Sequence, residues 1–434
     1  MSRGLTSPGT LVLALAVPLV FLHAHFLPGF DVSQAHANLG DLAVLATAAA
    51  ALGVGLTRGF EPLRAGRPLW IAVGALLLAI LWGIVWGHVR DGSYPTTRHL
   101  VTAAKFAEYA LLAPALPLLL RTRRDVELLL GAVTAWSCAM TLVAILQFLG
   151  LVHDPFRHAR LPGVRAQSLL GTHDFAALSC AALAIGLVAI ALPGLLDRRL
   201  AIAAGVAGAV GLALSAAVAA VIGMGLAALA VAAVSLRRRQ LTLRRLVALC
   251  LVAALVGLGA LMLRGHDLSQ FLKFLGIRKG ASPAALAGSS YSQRSVLAYI
   301  GVRIFEDHPL LGVGWEASND DPSYRPYLPA ARAKFPDVPA AAFPSPQHRW
   351  GIQIGYLQAA ADLGVLGGLI FVGLFATAAL VAVRRALRGA LAPTVALLWT
   401  LMAAGVWLGL GLVAGIPLQA FTWLAVGLAG VAVE

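Results

Sequence analysis

RRRQLTLRRLVALCLVAALVGLGALMLRG, residues 237–265, is the stretch that decides the fold. Its first nine residues carry five arginines, and the eighteen from Leu246 to Leu263 carry no charge at all. A helix needs about 20 mostly apolar residues to cross a bilayer, and a basic cluster beside such a segment marks the cytoplasmic end. Outward from this stretch the pattern recurs. Twelve candidate spans lie near 10–28, 38–57, 68–87, 100–120, 126–150, 173–196, 200–214, 217–236, 245–264, 352–383, 391–414 and 417–433. Only Ala and Ser separate the seventh from the eighth, so a broken or re-entrant pair around Ser215 is an alternative there.

Composition agrees. With 434 residues, 59% hydrophobic and 12% charged, and a mean hydropathy of +0.84, the chain is too apolar for a soluble protein and too segmented for a fibrous or disordered one. The formal charge of +14 is mostly arginine. No stacking aromatics are interleaved with the basic runs, which argues against a nucleic-acid partner. Cys138, Cys180 and Cys250 fall in apolar segments, so neither a disulfide framework nor a zinc set is indicated. Arg3 and the apolar run to Leu27 imitate a signal peptide. Ala35-His36-Ala37 lies too far from that run to serve as its cleavage site, and a retained first span is expected.

If each span crosses once, the clusters at Arg3, Arg58–Arg67, Arg121–Arg124, Arg198–Arg199, Arg237–Arg245 and Arg384–Arg388 share the cytoplasmic side. The opposite side receives loops 88–99, 153–172 and 265–350. These are basic as well, which the orientation rule does not explain. Guanidinium forks match phosphate oxygens in a bidentate way, so a phosphate-bearing lipid or an anionic glycan is the partner expected there, with leaflet headgroups as the plainer alternative. The chain therefore divides into residues 1–264 with nine spans, the external loop 265–350, and 351–434 with three spans.

Within the long loop, LSQFLKFLGI (268–277) reads as an amphipathic interfacial stretch. QRSVLAYIGVRIFE (293–306) reads as a helix capped by Ser289–Ser292 and stopped by Pro309, Gly312 and Gly314. The Pro- and Ala-rich run to Pro346 reads as a surface excursion or lid. Arg294 and Arg303 are nine residues apart, about 900° on a helix, so they serve different surroundings. Arg294 suits a phosphate near the helix start, whereas Arg303 suits Glu306 and Asp307. Arg157, Arg160 and Arg165 crowd a Pro-stiffened loop suited to a diphosphate. His348 can take a proton from a hydroxyl or anchor the next span beside Trp350. His173 and Asp174 read as caps of the sixth span. Lys105 and Glu108 share a face of the fourth span and are expected to pair, either structurally or beside a substrate cavity. Asp41, in the second span, shows no partner. No residue set has metal-site spacing.

Three patterns then resemble the O-antigen ligase and polymerase superfamily of bacterial membrane glycosyltransferases. SQRSVLAYIGVRIFEDHPLLGVGW is similar to the family's arginine-bearing helix and Pro-x-x-Gly-x-Gly turn, which places the loop arginine on Arg294. RAQSLLGTHDFAALSCAAL is similar to the stretch that carries a further family arginine, here Arg165. YLQAAADLGVLGGL resembles the segment whose Gly-x-x-Gly, here Gly364 and Gly367, follows the family's essential histidine. That histidine's place is occupied by Gln353, and the nearest histidine, His348, stands five residues earlier. The resemblance implies either that His348 reaches the same point or that Gln353 has replaced it; His348 is the expectation.

What the resemblance implies is an all-α polytopic membrane protein of GT-C type with about 12 transmembrane helices. Its long periplasmic loop would contain short helices, and the protein would sit in the bacterial inner membrane with a periplasmic active site. The implied reaction is inverting, metal-independent transfer of a glycan from an undecaprenyl-diphosphate carrier to the hydroxyl of a glycolipid or glycan acceptor, without a cofactor. Arg165 and Arg294 would hold the diphosphate with Arg157 and Arg160 assisting, His348 would activate the acceptor and Gln353 would face the cavity; for Lys105 and Glu108 the structural and the cavity reading both stay open. A polysaccharide polymerase, or a transporter of a lipid-linked anion, is an alternative.

Overall fold

The computed structural model of the chain describes residues 7–32, 35–156, 163–274, 290–412 and 416–433. It is 77% helical. Nine of the described helices are long and apolar enough to cross a membrane, and two shorter apolar ones accompany them. In chain order the helices are α1 (Pro8–Phe21), α2 (Leu39–Arg58), α3 (Arg67–Arg90), α4 (Thr96–Ala110), α5 (Leu112–Leu119), α6 (Arg123–Phe148), α7 (Thr172–Ala191), α8 (Arg198–Ser215), α9 (Val218–Arg237) and α10 (Leu243–Phe274). The long loop contributes α11 (Ser290–Asp307), α12 (Asp321–Tyr324) and α13 (Leu328–Lys334), before α14 (Gly355–Ala386), α15 (Leu391–Val406) and α16 (Ile416–Gly430). The described β-structure is a hairpin, β1 (Gly29–Val32) with β2 (Ala35–Asn38), antiparallel with Gly29 opposite Asn38.

The twelve expected segments are all helical, with local differences. The fourth is broken at Leu111 into α4 and α5. Pro114 has no N–H to give the carbonyl four residues earlier, on Ala110, so the ladder fails there. The seventh and eighth are separate helices of spanning length rather than a broken pair, joined at Ala216 in a left-handed conformation (φ 50°). The expected interfacial stretch 268–277 begins as a continuation of α10 to Phe274, and its last three residues lie outside the described set.

Lipid tails are as apolar as leucine, so helices here associate through close packing. α7 (THDFAALSCAALAIGLVAIA) is the centre: small residues dominate it and nearly all of it is buried. Gly186 meets Gly205 of α8 backbone to backbone, and Gly223 of α9 meets Gly405 of α15 in the same way, so that a Cβ on Gly186, Gly223 or Gly405 would strike the neighbouring helix. α3 and α10, by contrast, expose Leu78, Trp82, Leu255 and Met262 as an outer surface would.

The Pro- and Ala-rich part of the long loop is no loose excursion. Trp315, Tyr324, Ala331 and Phe343 are buried in it, and Trp315 packs edge-on against Phe106 of α4, with ring centroids 5.5 Å apart. What fastens the loop is a joint between two glycine motifs. α14 is kinked at Gly364 (φ 71°), and the Pro309–Gly314 turn lies along the kink. Val313 N donates to Ala361 O (3.0 Å), Gly314 N to Asp362 O (2.9 Å) and Val365 N to Pro309 O (2.7 Å). A Cβ on Gly364 would overlap the Leu310 carbonyl, and one on Gly312 the Asp362 backbone. Asp362 then caps the next turn, accepting from Glu316 N (3.1 Å) and Ser318 N (3.0 Å).

Candidate functional site

A cavity of about 330 Å³ opens at the long-loop end of the bundle, over the start of α7. α7 begins at Gly171 (φ 83°) with no side chain capping its first turn, and Gly171, Thr172 and His173 line the cavity. The first N–H groups of a helix lack intrahelical acceptors and carry the positive end of its dipole, which makes such a start attractive to an anion.

Three arginines from separate parts of the chain join it there: Arg165 before α7, Arg264 in α10 and Arg294 in α11. Each is positioned by its surroundings. The Arg165 segment is pinned by Gln147 of α6, whose side chain accepts from Ser168 N (2.8 Å) and donates to Ser168 O (3.0 Å). The Ala166 amide adds a bond to Leu214 O (3.0 Å). Arg264 is only 6% exposed, a degree of burial that costs a guanidinium several kcal/mol unless compensating groups surround it. Arg294 donates from Nε to Gln353 Oε1 at 3.0 Å. Behind Gln353, Gln358 ties the loop to the bundle, donating to Glu316 Oε1 (3.1 Å) and accepting from Leu412 N (2.7 Å).

Two histidines and the acidic residue Asp174, the third residue of α7, also line the cavity. His173 follows directly on the helix start. His23, in the connection after α1, packs edge-on against Phe156 with centroids 4.8 Å apart. Its Nδ1 accepts the His25 backbone N–H (3.2 Å), which puts the proton of the neutral ring on Nε2. Burial and the neighbouring His25 hold the His23 imidazole below its ordinary pKa, so it is uncharged at neutral pH and can donate from Nε2.

The structure thus brings Arg165 and Arg294 together, as the sequence led us to expect, and adds Arg264, His23 and His173. Arg157 and Arg160 lie outside the described residues. His348 does not line the cavity. It sits exposed in a turn with Ser345, its ring stacked on Trp350 at 5.8 Å, and Gln353 is the side chain beside Arg294. Lys105 and Glu108 do not line the cavity either, and they do not pair with each other. Lys105 instead reaches Asp41 of α2 (Nζ to Oδ2, 3.0 Å), and Glu108 Oε1 is buried without a hydrogen bond. The long lysine stem can cross to a neighbouring helix, and an intramembrane carboxylate such as Asp41 is costly without a cation. Arg303, on the opposite face of α11 from Arg294, pairs with Glu306 at 2.8 Å.

Arg264 was missed because an arginine ending an apolar run looks like an ordinary interfacial anchor. His23 was missed because it stands inside the first apolar segment. No curated protein matches the chain. Residues 203–372, which carry Arg264, Arg294, the Pro309–Gly314 turn and the Gly364 kink, match the family described as O-Antigen ligase, and this match supports the chain's membership of the O-antigen ligase and polymerase superfamily.

Proposed function

We propose that this multi-pass membrane protein transfers a glycan from an undecaprenyl-diphosphate carrier to an acceptor hydroxyl on the periplasmic side of the bacterial inner membrane, with inversion and without a metal. The observation that carries the proposal is the convergence of Arg165, Arg264 and Arg294 on one cavity at an uncapped helix start. When the bond from sugar to diphosphate breaks, negative charge develops on the leaving diphosphate. Fixed cations and N–H groups aimed at that charge stabilise the transition state more than the ground state.

The acceptor oxygen must lose its proton as it attacks the anomeric carbon. A neutral imidazole within reach can accept that proton, and His173, which lines the cavity, is the base this reading assigns. His348, exposed and outside the cavity lining, is not assigned the proton transfer. Gln353 holds Arg294 in line and does not exchange protons. His23 donates to the ligand from Nε2.

The test is incubation of purified protein with a defined undecaprenyl-diphosphate glycan and candidate acceptors, followed by mass spectrometry. A new glycoside together with free carrier diphosphate is the expected product. A ladder of lipid-linked glycans would identify a polymerase acting by the same chemistry. Movement of the intact carrier across proteoliposomes, with no bond formed, would replace the proposal with transport.

A further inference from the structure

A second hollow, of about 230 Å³, lies at the same end of the molecule, where the α3–α4 connection meets the long loop. It shares none of its lining with the first. Its charges are balanced: Arg90, Arg98 and Arg349 face Asp91, Asp320 and Asp321.

The carboxylates are held in place. Asp320, 9% exposed, accepts from His99 Nε2 at 2.8 Å and pairs with Arg98. Burial alone would raise the Asp320 pKa, but the hydrogen bonds from His99 and Arg98 outweigh it and hold the carboxyl below its ordinary value. Tyr94 packs on the His99 ring at 4.6 Å and donates to Trp315 O at 2.8 Å, so this wall is braced against the buried loop core. Asp91 accepts from Ser93 N (2.9 Å) and Oγ (2.7 Å), and Asp321 pairs with Arg325. Apart from Arg98, the cations are less well provided for. Arg90 Nε is buried without a hydrogen bond, and Arg90 Nη2 reaches Ser323 Oγ only at 3.5 Å. Arg349 is exposed.

Three carboxylates beside three guanidinium groups favour a neutral polyol over an anion. A phosphate entering here meets three like charges, whereas sugar hydroxyls donate to carboxylates and accept from guanidinium N–H groups at once. Pro95, Pro322 and Pro346 add apolar surface for the C–H groups of a sugar. The volume falls below the roughly 300 Å³ at which drug-sized pockets begin, which suits a single sugar ring.

Position adds to this. Arg349 lines the second hollow and Gln353, four residues on, holds Arg294 at the first. A chain extends at most about 3.6 Å per residue, so the two Cα atoms lie within about 14 Å. We propose that the second hollow is a saccharide subsite, holding one ring of a glycan whose reacting end lies in the Arg165–Arg264–Arg294 cavity. The link to a reacting end rests on the proposed transfer; the saccharide assignment rests on the hollow itself.

The test uses the full-length protein in lipid nanodiscs on an array of neutral and anionic bacterial oligosaccharides. Three forms are compared: wild type, Arg349→Ala/Asp91→Asn, and Arg165→Ala/Arg294→Ala. Wild type and the second variant are expected to bind a neutral oligosaccharide, and the first variant to lose at least tenfold of that binding, with Arg90→Gln repeating the loss. Absence of saccharide binding by wild type, binding unchanged in the cleft variants, or binding confined to anionic glycans would overturn the assignment. Array binding requires no bond formation, so a protein that binds through the cleft and transfers nothing overturns the proposed reaction while supporting the subsite. Where transfer is seen, the cleft variants should raise KM about tenfold for either the lipid-linked donor or the hydroxyl acceptor, which tells whose ring is held. A change in neither KM counts against the subsite.

Discussion

The two hollows at the long-loop end set the same residue type in different company. In the larger, arginines from three chain segments gather at a helix start. In the smaller, arginines stand opposite an equal number of aspartates. The contrast suggests that an excess of arginine on one face of a membrane protein carries no single meaning; what differs is how many carboxylates are folded in beside them, one in the larger hollow (Asp174) and three in the smaller. Guanidinium groups in excess in a confined space can stabilise developing charge, while the proposed saccharide subsite would use balanced ones to hold hydroxyls.

The sharpest way to break this contrast is to remove a cation from the larger site. Arg294→Ala should lower kcat/KM for glycan transfer by about 100-fold or more, measured as free carrier diphosphate, while oligosaccharide binding in the smaller hollow persists. Equal loss of both would mean that the two are one site.

A second test concerns the loop that separates them. Glu316, in a left-handed conformation (φ 60°), has its pKa pushed up to about 8 from 4.5 by burial and then by Asp362. Between those values the folded state holds the proton that the unfolded state has lost. Its stabilising contribution is therefore full below about pH 4.5 and lost as pH rises through about 8. Glu316→Gln should flatten the pH dependence and make the protein more stable than wild type at pH 9, by on the order of a few kcal/mol, read from thermal unfolding in nanodiscs at pH 5 and 9. A parallel shift at both pH values would sink this account.

Gly364→Ala tests the joint between the two glycine motifs. A positive φ and the Leu310 carbonyl leave no room for a Cβ, so a loss of about 2–3 kcal/mol is expected, with transfer and saccharide binding falling together. Unchanged stability would show that the kink adapts. Gln353→Ala should lower transfer about tenfold through misorientation of Arg294, and Gln353→His should stay closer to wild type. A larger loss in His348→Ala than in Gln353→Ala would return the central role to the histidine. The smallest effect is expected at Arg303, an exposed pair with Glu306: Arg303→Ala should change stability by less than about 0.5 kcal/mol.

The sequence by itself determined the membrane class, the positions of the twelve helical segments and the separation of Arg294 from Arg303. Apolar run length and helical phase are local properties that need no partner to be read. It also pointed to Arg165 and Arg294, which stand in a basic excess that orientation does not explain. Tertiary structure alone decided that Lys105 reaches Asp41 rather than Glu108, that the two glycine motifs mate, and that Gln353 rather than His348 lies beside Arg294. The same holds for Arg264, an ordinary helix end in sequence that becomes a wall of the cavity. Each of these depends on which helices become neighbours, and in a bilayer that choice is made by close approach at glycines such as Gly223 and Gly405, which lie far apart along the chain.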